Sequence, residues 1–321
     1  MAETPPTDRS RRVLVTGGSG FVGRAVVREL LRRGWTPVCV VRDPRRAERM
    51  AAVEPRAVEW VEGDLLDGVP PRNVAAGTSA AIHLVGIIVE DPSRGQTFRR
   101  VHVEATRNVL AACRHGGVER FIHMSALGAR SDAVGEYHRT KHAAEDLVRE
   151  SGLRWTIFRP SVIHGPDGEF MRLMRKLACD LLPPFMPHFG NGLARLQPVA
   201  VEDVAYCFVE ALHRPRTVGQ IYELGGPEAM TWRELYRICR EVLPGARQWK
   251  PVLGQPVPLA KLLAATLMKT RLVPAAWRFN RDQVVMSQED SVCDIRPVEE
   301  AFGIRLRRFR SMLESYASRI G

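Results

Sequence analysis

Thr16-Gly17-Gly18-Ser19-Gly20-Phe21-Val22-Gly23 separates a short apolar run at 13–16 from an amphipathic segment at 21–33. A glycine at a strand-to-helix turn permits a tight turn, a second lets the backbone approach a phosphate, and a third allows helix and strand to pack closely. The spacing fits both Gly18-x-Gly20-x-x-Gly23 and Gly17-x-x-Gly20-x-x-Gly23. Because a helix N-terminus adds N–H donors and positive potential, the stretch predicts a dinucleotide site.

Short apolar runs recur along the first two thirds of the chain, at 13–16, 37–41, 57–61, 80–85, 120–125, 155–159 and 220–224. They are continuous rather than alternating, which is typical of strands buried on both faces. Helical patterns at 21–33, 99–115, 136–151 and 201–213 separate them. The alternation predicts an α/β protein with a doubly wound parallel sheet, the Rossmann fold, whose ligand crevice lies beyond the carboxyl ends of the strands.

The domain organisation follows from where this alternation begins and ends. We expect a disordered tail at 1–11, a Rossmann NAD(P)-binding domain at 12–227, and a smaller, mostly helical region at 228–321 that covers the substrate. Within the larger domain, a Gly- and Pro-rich excursion at 165–198 surrounds one predicted helix at 170–181.

The composition excludes several classes of protein. The 321 residues are 45% hydrophobic and 26% charged, which is ordinary for a globular chain. The net charge is +11, but the basic residues are spread throughout and no nucleic-acid motif is present, so no nucleic-acid partner is expected. Six scattered cysteines without a CxxC pair predict neither a metal site nor a disulfide framework. With no signal peptide and no membrane-spanning segment, the sequence predicts a cytoplasmic protein.

The residue that closes the second strand selects between the two nicotinamide dinucleotides. That region reads Val41-Arg42-Asp43-Pro44-Arg45-Arg46. Arg42 offers a cation for a 2′-phosphate, which favours NADP(H). A register shift of one residue would make Asp43 the selector and favour NAD(H), so NAD(H) stays open.

The next two strand ends supply further candidates for cofactor binding. Asp64 and Leu65 follow the third strand, where a carboxylate could accept the adenine amino group. Leu84, Val85 and Gly86 end the fourth strand, beside the expected nicotinamide ribose.

Tyr137-His138-Arg139-Thr140-Lys141 begins the helical pattern after the fifth strand. Residues four apart share one helical face. A lysine ammonium there could lower the tyrosine pKa and hold the ribose hydroxyls, while the tyrosine exchanges a proton with a carbonyl or alcohol.

Together with Phe121-Ile122-His123-Met124-Ser125-Ala126-Leu127-Gly128-Ala129 and Phe158-Arg159-Pro160-Ser161-Val162-Ile163, these motifs resemble the short-chain dehydrogenase/reductase superfamily, in its extended or atypical branch. More narrowly, the Met-Ser-Ala-Leu-Gly string at 124–128, the Gln-Pro-Val-Ala-Val-Glu-Asp-Val-Ala string at 197–205 and the segment at 222–227 resemble the NADPH-binding accessory subunits of respiratory complex I and their bacterial relatives.

The resemblance implies roles for particular residues. Tyr137 would be the acid/base, Lys141 its helper and Ser125 an orienting hydroxyl; all three would also line the cofactor pocket. Pro160 and Val162 would lie near the carboxamide. The pyrophosphate would contact Gly17, Ser19, Gly20, Phe21, Val22 and Gly23.

The chain departs from the resembling family at two places. Ala126 and Leu127 stand where the extended branch carries its catalytic Ser or Thr, and His102 stands where many relatives carry Asn. The acid/base part of the site is therefore present, whereas the part that stabilises an oxyanion is in doubt.

Four residues outside these motifs are candidates for substrate contact. His164 follows the sixth strand and could face substrate or be satisfied by backbone. Phe185 and Phe189 form an apolar loop that could line a lipophilic pocket or simply pack under a lid. Arg195 could hold an anionic substrate group.

The C-terminal region carries a basic, partly apolar surface. The segment at 257–273 is apolar with interspersed basic residues, and the last 21 residues hold five arginines against one acid, Glu314. Such a surface could contact the inner face of an anionic membrane or a membrane complex peripherally, or it could be a core-facing helix with a solvated face.

Three functions fit the sequence. The first is an NADP(H)-dependent oxidoreductase that transfers hydride to or from a carbonyl or alcohol of a small, apolar, quinone- or isoprenoid-like substrate. The second is a non-catalytic NADPH-binding accessory or assembly subunit of a respiratory membrane complex. The third is a nucleotide-sugar epimerase or dehydratase.

Overall fold

The computed structural model describes residues 11–51, 57–67, 74–266 and 279–320. The strands are β1 (Arg12–Thr16), β2 (Thr36–Val41), β3 (Glu59–Glu62), β4 (Ala80–His83), β5 (Arg120–Met124), β6 (Arg154–Pro160), β7 (Ile163–His164), β8 (Met186–Phe189), β9 (Arg195–Leu196), β10 (Val199–Ala200), β11 (Gln220–Leu224), β12 (Met230–Thr231) and β13 (Val252–Gln255). The helices are α1 (Phe21–Arg32), α2 (Pro44–Ala51), α3 (Ala105–Gly116), α4 (Glu136–Arg149), α5 (Glu169–Cys179), α6 (Val201–Ala211), α7 (Trp232–Val242), α8 (Val257–Ala265), α9 (Arg281–Met286), α10 (Arg296–Phe302) and α11 (Phe309–Tyr316). A π-helix (Arg99–Glu104) leads directly into α3.

Seven strands form one sheet in the order β11-β6-β5-β4-β1-β2-β3. The pairs β1–β2, β1–β4, β2–β3, β4–β5 and β5–β6 are all parallel. Every residue of β4 and the last four residues of β1 are buried, as expected for strands covered on both faces. The predicted doubly wound Rossmann fold is therefore confirmed.

The strand order reverses between β1 and β4, which are adjacent in the sheet but separated by two strands in sequence. Their carboxyl ends meet where Thr16 pairs with His83. In doubly wound sheets this switch point is where ligands bind. The glycine stretch that follows Thr16 is thus at the expected place.

Some elements differ from the sequence prediction. The strand predicted at 80–85 ends at His83, α2 is an additional element, and the helix predicted at 99–115 begins as a π-helix before it continues as α3. The excursion at 165–198 contains the predicted helix as α5, but also β8 and β9, which pair with β13 and β12. These short strands depend on partners distant in sequence, which a local pattern does not reveal.

The chain divides into two compact units that interleave along the sequence. Unit 1 comprises Met1–Ser125, Thr140–Arg159 and Val204–Tyr222, and unit 2 comprises Ala126–Arg139, Pro160–Asp203 and Glu223–Gly321. Each has a hydrophobic core, containing Phe121 and Ile157 in unit 1 and Leu235 and Tyr316 in unit 2. The two compact units have their boundaries at other positions, and the predicted domain boundary between 227 and 228 stays a prediction.

The C-terminal region is mostly helical, as predicted, and contains α7 to α11. The predicted tail lies outside the described residues except for Arg11, as does the part of the predicted 257–273 segment beyond residue 266. Among the described helices, none is long and apolar enough to cross a bilayer. All six cysteines are free thiols.

Candidate functional site

The glycine loop after β1 is shaped by close backbone contacts. Gly17 has a φ of 75°, a left-handed conformation that glycine adopts without strain. The Gly20 N–H donates to the Gly17 carbonyl at 3.0 Å. A Cβ on Gly23 would lie 2.0 Å from that same carbonyl oxygen, so only glycine lets α1 begin against the loop.

The N-terminus of α1 is available to an anion. Gly20 caps this helix without a side-chain hydrogen bond, and the first turn holds no acidic residue. Arg24 Nη1 donates to the Ser19 carbonyl at 3.1 Å and supports the loop. The N–H groups of the first turn and the positive end of the helix dipole therefore offer a phosphate cradle, and binding of a phosphate there stays a prediction. All six residues predicted for the pyrophosphate lie in this loop and first turn.

The residues after β2 have separate roles. Arg42 directly follows the last residue of the strand, Val41, and its side chain is exposed. The Asp43 carboxylate accepts a hydrogen bond from the Arg46 N–H at 2.9 Å, which caps the start of α2. Asp43 therefore has a structural role, whereas Arg42 is the first side chain beyond the strand.

The residues predicted beside the adenine form a local turn after β3. Asp64 Oδ1 accepts a hydrogen bond from the Leu66 N–H at 2.9 Å. Leu65 is buried, and its carbonyl accepts a hydrogen bond from Asn108 Nδ2 at 2.8 Å. The turn is thus anchored to α3.

The segment after β4 packs against the glycine loop. A Cβ on Gly17 would lie 3.2 Å from the Leu84 carbonyl carbon and 3.3 Å from the Val85 nitrogen. A Cβ on Gly86 would lie 2.9 Å from Lys141 Nζ. The absence of a side chain at Gly86 leaves room for the Lys141 ammonium beside this segment.

Lys141 is a buried cation at the carboxyl end of β5. Only 2% of the residue is exposed, and Nζ donates to the Met124 carbonyl at 3.1 Å. Burial lowers the pKa of Lys141 to about 8, against the opposing effect of Glu145. Two hydrogen bonds from Arg159, at 2.8 and 2.7 Å, already occupy the Glu145 carboxylate. With this pKa Lys141 is charged at neutral pH, and among the described residues only the Met124 carbonyl accepts a hydrogen bond from its ammonium, which leaves donors for a ligand.

Ser125 immediately follows β5 and is buried. Its N–H donates to the Phe158 carbonyl at 2.8 Å, while its Oγ has no hydrogen-bond partner among the described residues. Ala126 and Leu127 follow and are also buried. A buried hydroxyl without a partner fits a site that a polar ligand completes.

Three buried histidines lie near Lys141; the sequence analysis noted His102 only as a departure from the resembling family and did not consider His83 or His123 for the site. His83 Nδ1 is 2.6 Å from Thr16 Oγ1, and its Nε2 is 3.0 Å from Thr106 Oγ1. His123 stacks on His83 with ring centroids 5.4 Å apart. Both His123 ring nitrogens are buried without a hydrogen-bond partner among the described residues.

The third histidine, His102, lies on the π-helix. Its Nδ1 is 2.9 Å from Thr140 Oγ1, and its Nε2 is 3.1 Å from the Ile87 carbonyl oxygen. Burial, with a smaller effect of Lys141, lowers the pKa of His83 to about 3 and of His102 to about 2. Burial also lowers the pKa of His123. The positions of His83 and His123 at the ends of predicted strands were the signal that could have identified them.

Tyr137 lies in the first turn of α4, four positions before Lys141 on the same helix. Its residue is 9% exposed, and burial raises the pKa of the phenol to about 12. The sequence analysis expected Lys141 to lower this pKa. In this structure the pKa of Tyr137 is raised rather than lowered, and burial is the cause.

Of the residues predicted beside the carboxamide, Pro160 ends β6 and Val162 lies two positions further on; both belong to unit 2. The Pro160 carbonyl accepts a hydrogen bond from the Leu127 N–H, and the Val162 carbonyl accepts one from the Val199 N–H, both at 2.9 Å. These bonds fix the backbone at both positions. Their contact with a cofactor stays a prediction.

The structure corrects the prediction for His164. This residue is fully buried, its ring centroid lies 4.9 Å from that of Phe309, and its Nδ1 is 2.9 Å from the Tyr316 hydroxyl. Burial lowers the pKa of His164 to about 3. These contacts place it in the core of unit 2 rather than facing substrate.

The other substrate candidates lie on the surface or near it. Arg195 donates from Nε and Nη2 to Asp290 Oδ2, at 3.0 and 2.7 Å, so its guanidinium already has a carboxylate partner. Arg195 is therefore not the free cation that was expected to hold an anionic substrate group. Phe185 is half-buried, and the Phe189 ring packs against Phe279 with centroids 5.0 Å apart.

Unit 1 by itself therefore holds the parts of a nucleotide site: a phosphate cradle on α1, an exposed arginine after β2, and a buried ammonium and a free hydroxyl at the end of β5. This combination on a Rossmann sheet defines a dinucleotide-binding protein, and its donors fit a nicotinamide dinucleotide. The chain belongs to the NAD(P)H-binding family, which matches residues 17–215.

Two relatives and one solved structure extend this assignment. The mitochondrial NADH dehydrogenase [ubiquinone] 1 alpha subcomplex subunit 9 of Arabidopsis thaliana is 32% identical over 291 residues, which cover 84% of this chain and 68% of that protein. The ceramide reductase of Caulobacter vibrioides is 34% identical over 247 residues, 74% of this chain and 72% of that protein. MoeE5 in complex with UDP-glucose and NAD has the same fold, with a TM-score of 0.70 and 22% identity over 96% of this chain and 98% of that one. The resemblance stated from the sequence is confirmed.

Proposed function

We propose that the protein is an NADP(H)-dependent oxidoreductase that reduces the carbonyl group of an apolar substrate or oxidises the matching alcohol. The observation that carries the proposal is the buried Lys141 ammonium, with spare donors and with Tyr137 one turn earlier on the same helix. A tyrosine and a lysine in this spacing can serve proton exchange and ribose binding.

The reduced nicotinamide, when bound, supplies the hydride. The first turn of α1 would hold the pyrophosphate, and Lys141 would donate hydrogen bonds to the ribose hydroxyls. Tyr137 donates its phenolic proton to the substrate oxygen as the carbonyl becomes an alcohol, and Ser125 Oγ orients that oxygen. The Tyr137 phenol is protonated at neutral pH, so it can donate this proton.

We propose NADP(H) as the preferred cofactor because Arg42 follows β2 directly and Asp43 is engaged as a helix cap. Titration calorimetry should give an affinity at least about tenfold higher for NADPH than for NADH, about 1.4 kcal/mol. Arg42→Asp should remove this preference. Arg28→Ala, which removes an exposed arginine from the middle of α1, is the matched control and should leave it intact. An unaltered preference in the Arg42 variant would refute the assignment.

An apolar substrate is favoured by the composition of the excursion in unit 2. Leu181 and Leu182 are 61% and 68% exposed, and Phe189 contributes an aromatic surface beside them in sequence. The Caulobacter relative is named for a reaction on a lipid, ceramide. A quinone- or isoprenoid-like carbonyl compound fits this apolar surface.

The test of the catalytic role is Tyr137→Phe. Oxidation of NADPH with a panel of quinones and long-chain ketones should fall at least about 100-fold, while the NADPH dissociation constant stays within about twofold. Tyr206→Phe removes a hydroxyl from α6 and is the matched control. Equal turnover of the Tyr137 variant and the wild type would exclude this role.

A non-catalytic accessory subunit of a membrane complex is the second candidate. It is favoured by the relatives named as NADH dehydrogenase subunits and by the apolar outer face of α8, where Leu259 and Leu262 are 46% and 61% exposed beside Lys261. Such a protein would bind peripherally at the inner face of an anionic membrane. It would sediment with anionic vesicles, lose this binding in Leu262→Ser, and be stabilised by NADPH without consuming it.

A nucleotide-sugar epimerase or dehydratase is disfavoured by the residues after Ser125. The buried apolar side chains of Ala126 and Leu127 provide no second hydroxyl there. Isomerisation of a sugar nucleotide by retained NAD(H), without net oxidation, would instead support that alternative.

A further inference from the structure

The N-terminus of helix α4, which carries Tyr137, receives a carboxylate from a segment distant in sequence. Gly135 precedes its first residue and has no side chain that could accept a hydrogen bond from the exposed N–H groups of the first turn. The carboxylate of Asp282 takes this role from α9: its Oδ1 accepts a hydrogen bond from the Glu136 N–H at 2.9 Å. A Cβ at position 135 would lie only 3.0 Å from this oxygen, so Gly135 permits the close approach.

A second carboxylate from the same part of the chain holds the loop before α4. Both oxygens of Glu289 accept hydrogen bonds from Arg130 Nη2, at 3.2 and 3.1 Å. Arg130 in turn donates from Nη1 to the Gly128 carbonyl at 3.1 Å. The loop at 126–135 is therefore attached at its middle through Arg130 and at its end through Asp282.

The remainder of this segment binds the loops after β6. Asp290 pairs with Arg195, and the Ser291 N–H donates to the Arg195 carbonyl at 2.8 Å. Ser161 Oγ lies 2.9 Å from both the Ser291 carbonyl oxygen and its Oγ. We name residues 280–293 the strap, because one continuous segment contacts both the residues around Tyr137 and those just after Pro160.

We propose that the strap is a positioning segment for the predicted acid/base, with Asp282 as its principal residue: by capping α4, it fixes the first turn from which Tyr137 projects. The activity part of this inference rests on the proposed oxidoreductase function. The structural part does not, since a cap supplied from 146 residues away orders the loop and the first turn whether or not Tyr137 is catalytic.

The test compares Asp282→Ala, Asp282→Asn and a matched control in the full-length protein. Asn keeps a carbonyl oxygen that can accept the Glu136 N–H, whereas Ala removes the acceptor. Asp294→Ala is the control, because Asp294 Oδ1 accepts the Arg296 N–H at 3.1 Å at the start of another helix, α10. The readouts are hydrogen exchange of amides 126–139, the NADPH dissociation constant, and kcat with the best carbonyl substrate.

Asp282→Ala should speed exchange across 126–139 by about fivefold or more, and Asp282→Asn should restore most of the protection. The NADPH dissociation constant should stay within about twofold, because the phosphate cradle is in unit 1, while kcat should fall at least about tenfold. Asp294→Ala should change none of these values. Unchanged exchange of 126–139 in Asp282→Ala would overturn the proposal.

Two further outcomes are distinguishable. If the wild type reduces no carbonyl compound, the proposed function fails and the exchange measurement alone decides the role of the strap. If Asp282→Ala does not fold, Glu289→Gln decides the role of the strap. This variant weakens the bond to Arg130 and should speed exchange at 126–135 alone. Unchanged exchange there would refute the proposal.

Discussion

Mild acid should destabilise the protein because three buried histidines must stay neutral in the folded state. His83, His102 and His123 are each 1% exposed, and burial lowers the pKa of all three. In the unfolded chain each titrates near pH 6.5. Below that pH the unfolded state therefore binds more protons than the folded state, and the free energy of unfolding falls as the pH falls.

The size of the effect follows from the two pKa values of each histidine. Relative to pH 7.5, one histidine that titrates only in the unfolded chain lowers the free energy of unfolding by about 1.4 kcal/mol at pH 5.5 and by about 2 kcal/mol at pH 5. Three such groups cost about 4 and about 6 kcal/mol, which is a large part of the total stability of an ordinary protein, and the equally buried His164, with a pKa of about 3, adds a similar loss per group. The carboxyl groups with lowered pKa values titrate below this window; they are Glu29, Glu210, Glu234, Glu241, Asp290 and Asp294.

The assay is urea unfolding followed by circular dichroism at pH 7.5, 6.5 and 5.5. In His123→Phe the loss between pH 7.5 and 5.5 should shrink by about 1.4 kcal/mol, because one titrating group is gone. This variant keeps a ring stacked on His83 and removes two buried nitrogens without partners, so it should also be more stable at pH 7.5. His115→Asn, at an exposed site on α3, is the control. A wild-type loss below about 1.4 kcal/mol, or an unaltered loss in His123→Phe, would refute the reasoning.

Three further predictions concern other contacts. Gly23→Ala should weaken NADPH binding at least about 100-fold in calorimetry, since its Cβ would lie 2.0 Å from the Gly17 carbonyl oxygen and distort the phosphate cradle. Gly86→Ala should displace the Lys141 ammonium, 2.9 Å from the new Cβ, and should both lower kcat at least about tenfold and weaken NADPH binding in calorimetry, because Lys141 is proposed to hold the ribose. Arg120→Met should lower the free energy of unfolding by about 3 kcal/mol in urea titration, because the buried guanidinium donates to the Ala211 carbonyl and to three other oxygens that would lose their donor.

The sheet could be predicted because its strands carry their own signal. Continuous apolar runs located β1, β2, β5 and β6 within one or two residues, since a strand buried on both faces needs apolar side chains in succession. Helix α2 was missed because Pro-Arg-Arg-Ala-Glu-Arg-Met-Ala has a mostly polar composition. Its cap, Asp43, was instead considered only as a nucleotide selector, since a sequence shows a carboxylate but not the N–H that it binds.

The candidate site divides in the same way between local and distant contacts. The glycine loop and the Tyr137/Lys141 spacing are local patterns, and the sequence contains both in full. The pairing of His83 with Thr16 joins residues 67 positions apart, and the cap from Asp282 joins residues 146 apart. Neither the contacts nor the pKa shifts that burial causes can be deduced from residue order alone, because both require knowledge of which segments meet.

Burying the Lys141 ammonium destabilises the folded protein, and the charges around it indicate how a bound cofactor would offset part of that destabilisation. A buried ammonium destabilises a fold unless other groups compensate it, and here the nearby carboxylate, Glu145, already binds Arg159 and Arg149. The surrounding histidines are neutral and so add no second positive charge, but they do not compensate the ammonium. Lys141 is thus held as an under-coordinated cation at the carboxyl end of β5. A ligand that brings hydroxyl oxygens to Nζ would recover part of this cost, and the ribose of a nicotinamide dinucleotide is such a ligand. For this reason a buried lysine that weakens the free protein supports a cofactor site rather than a purely structural role.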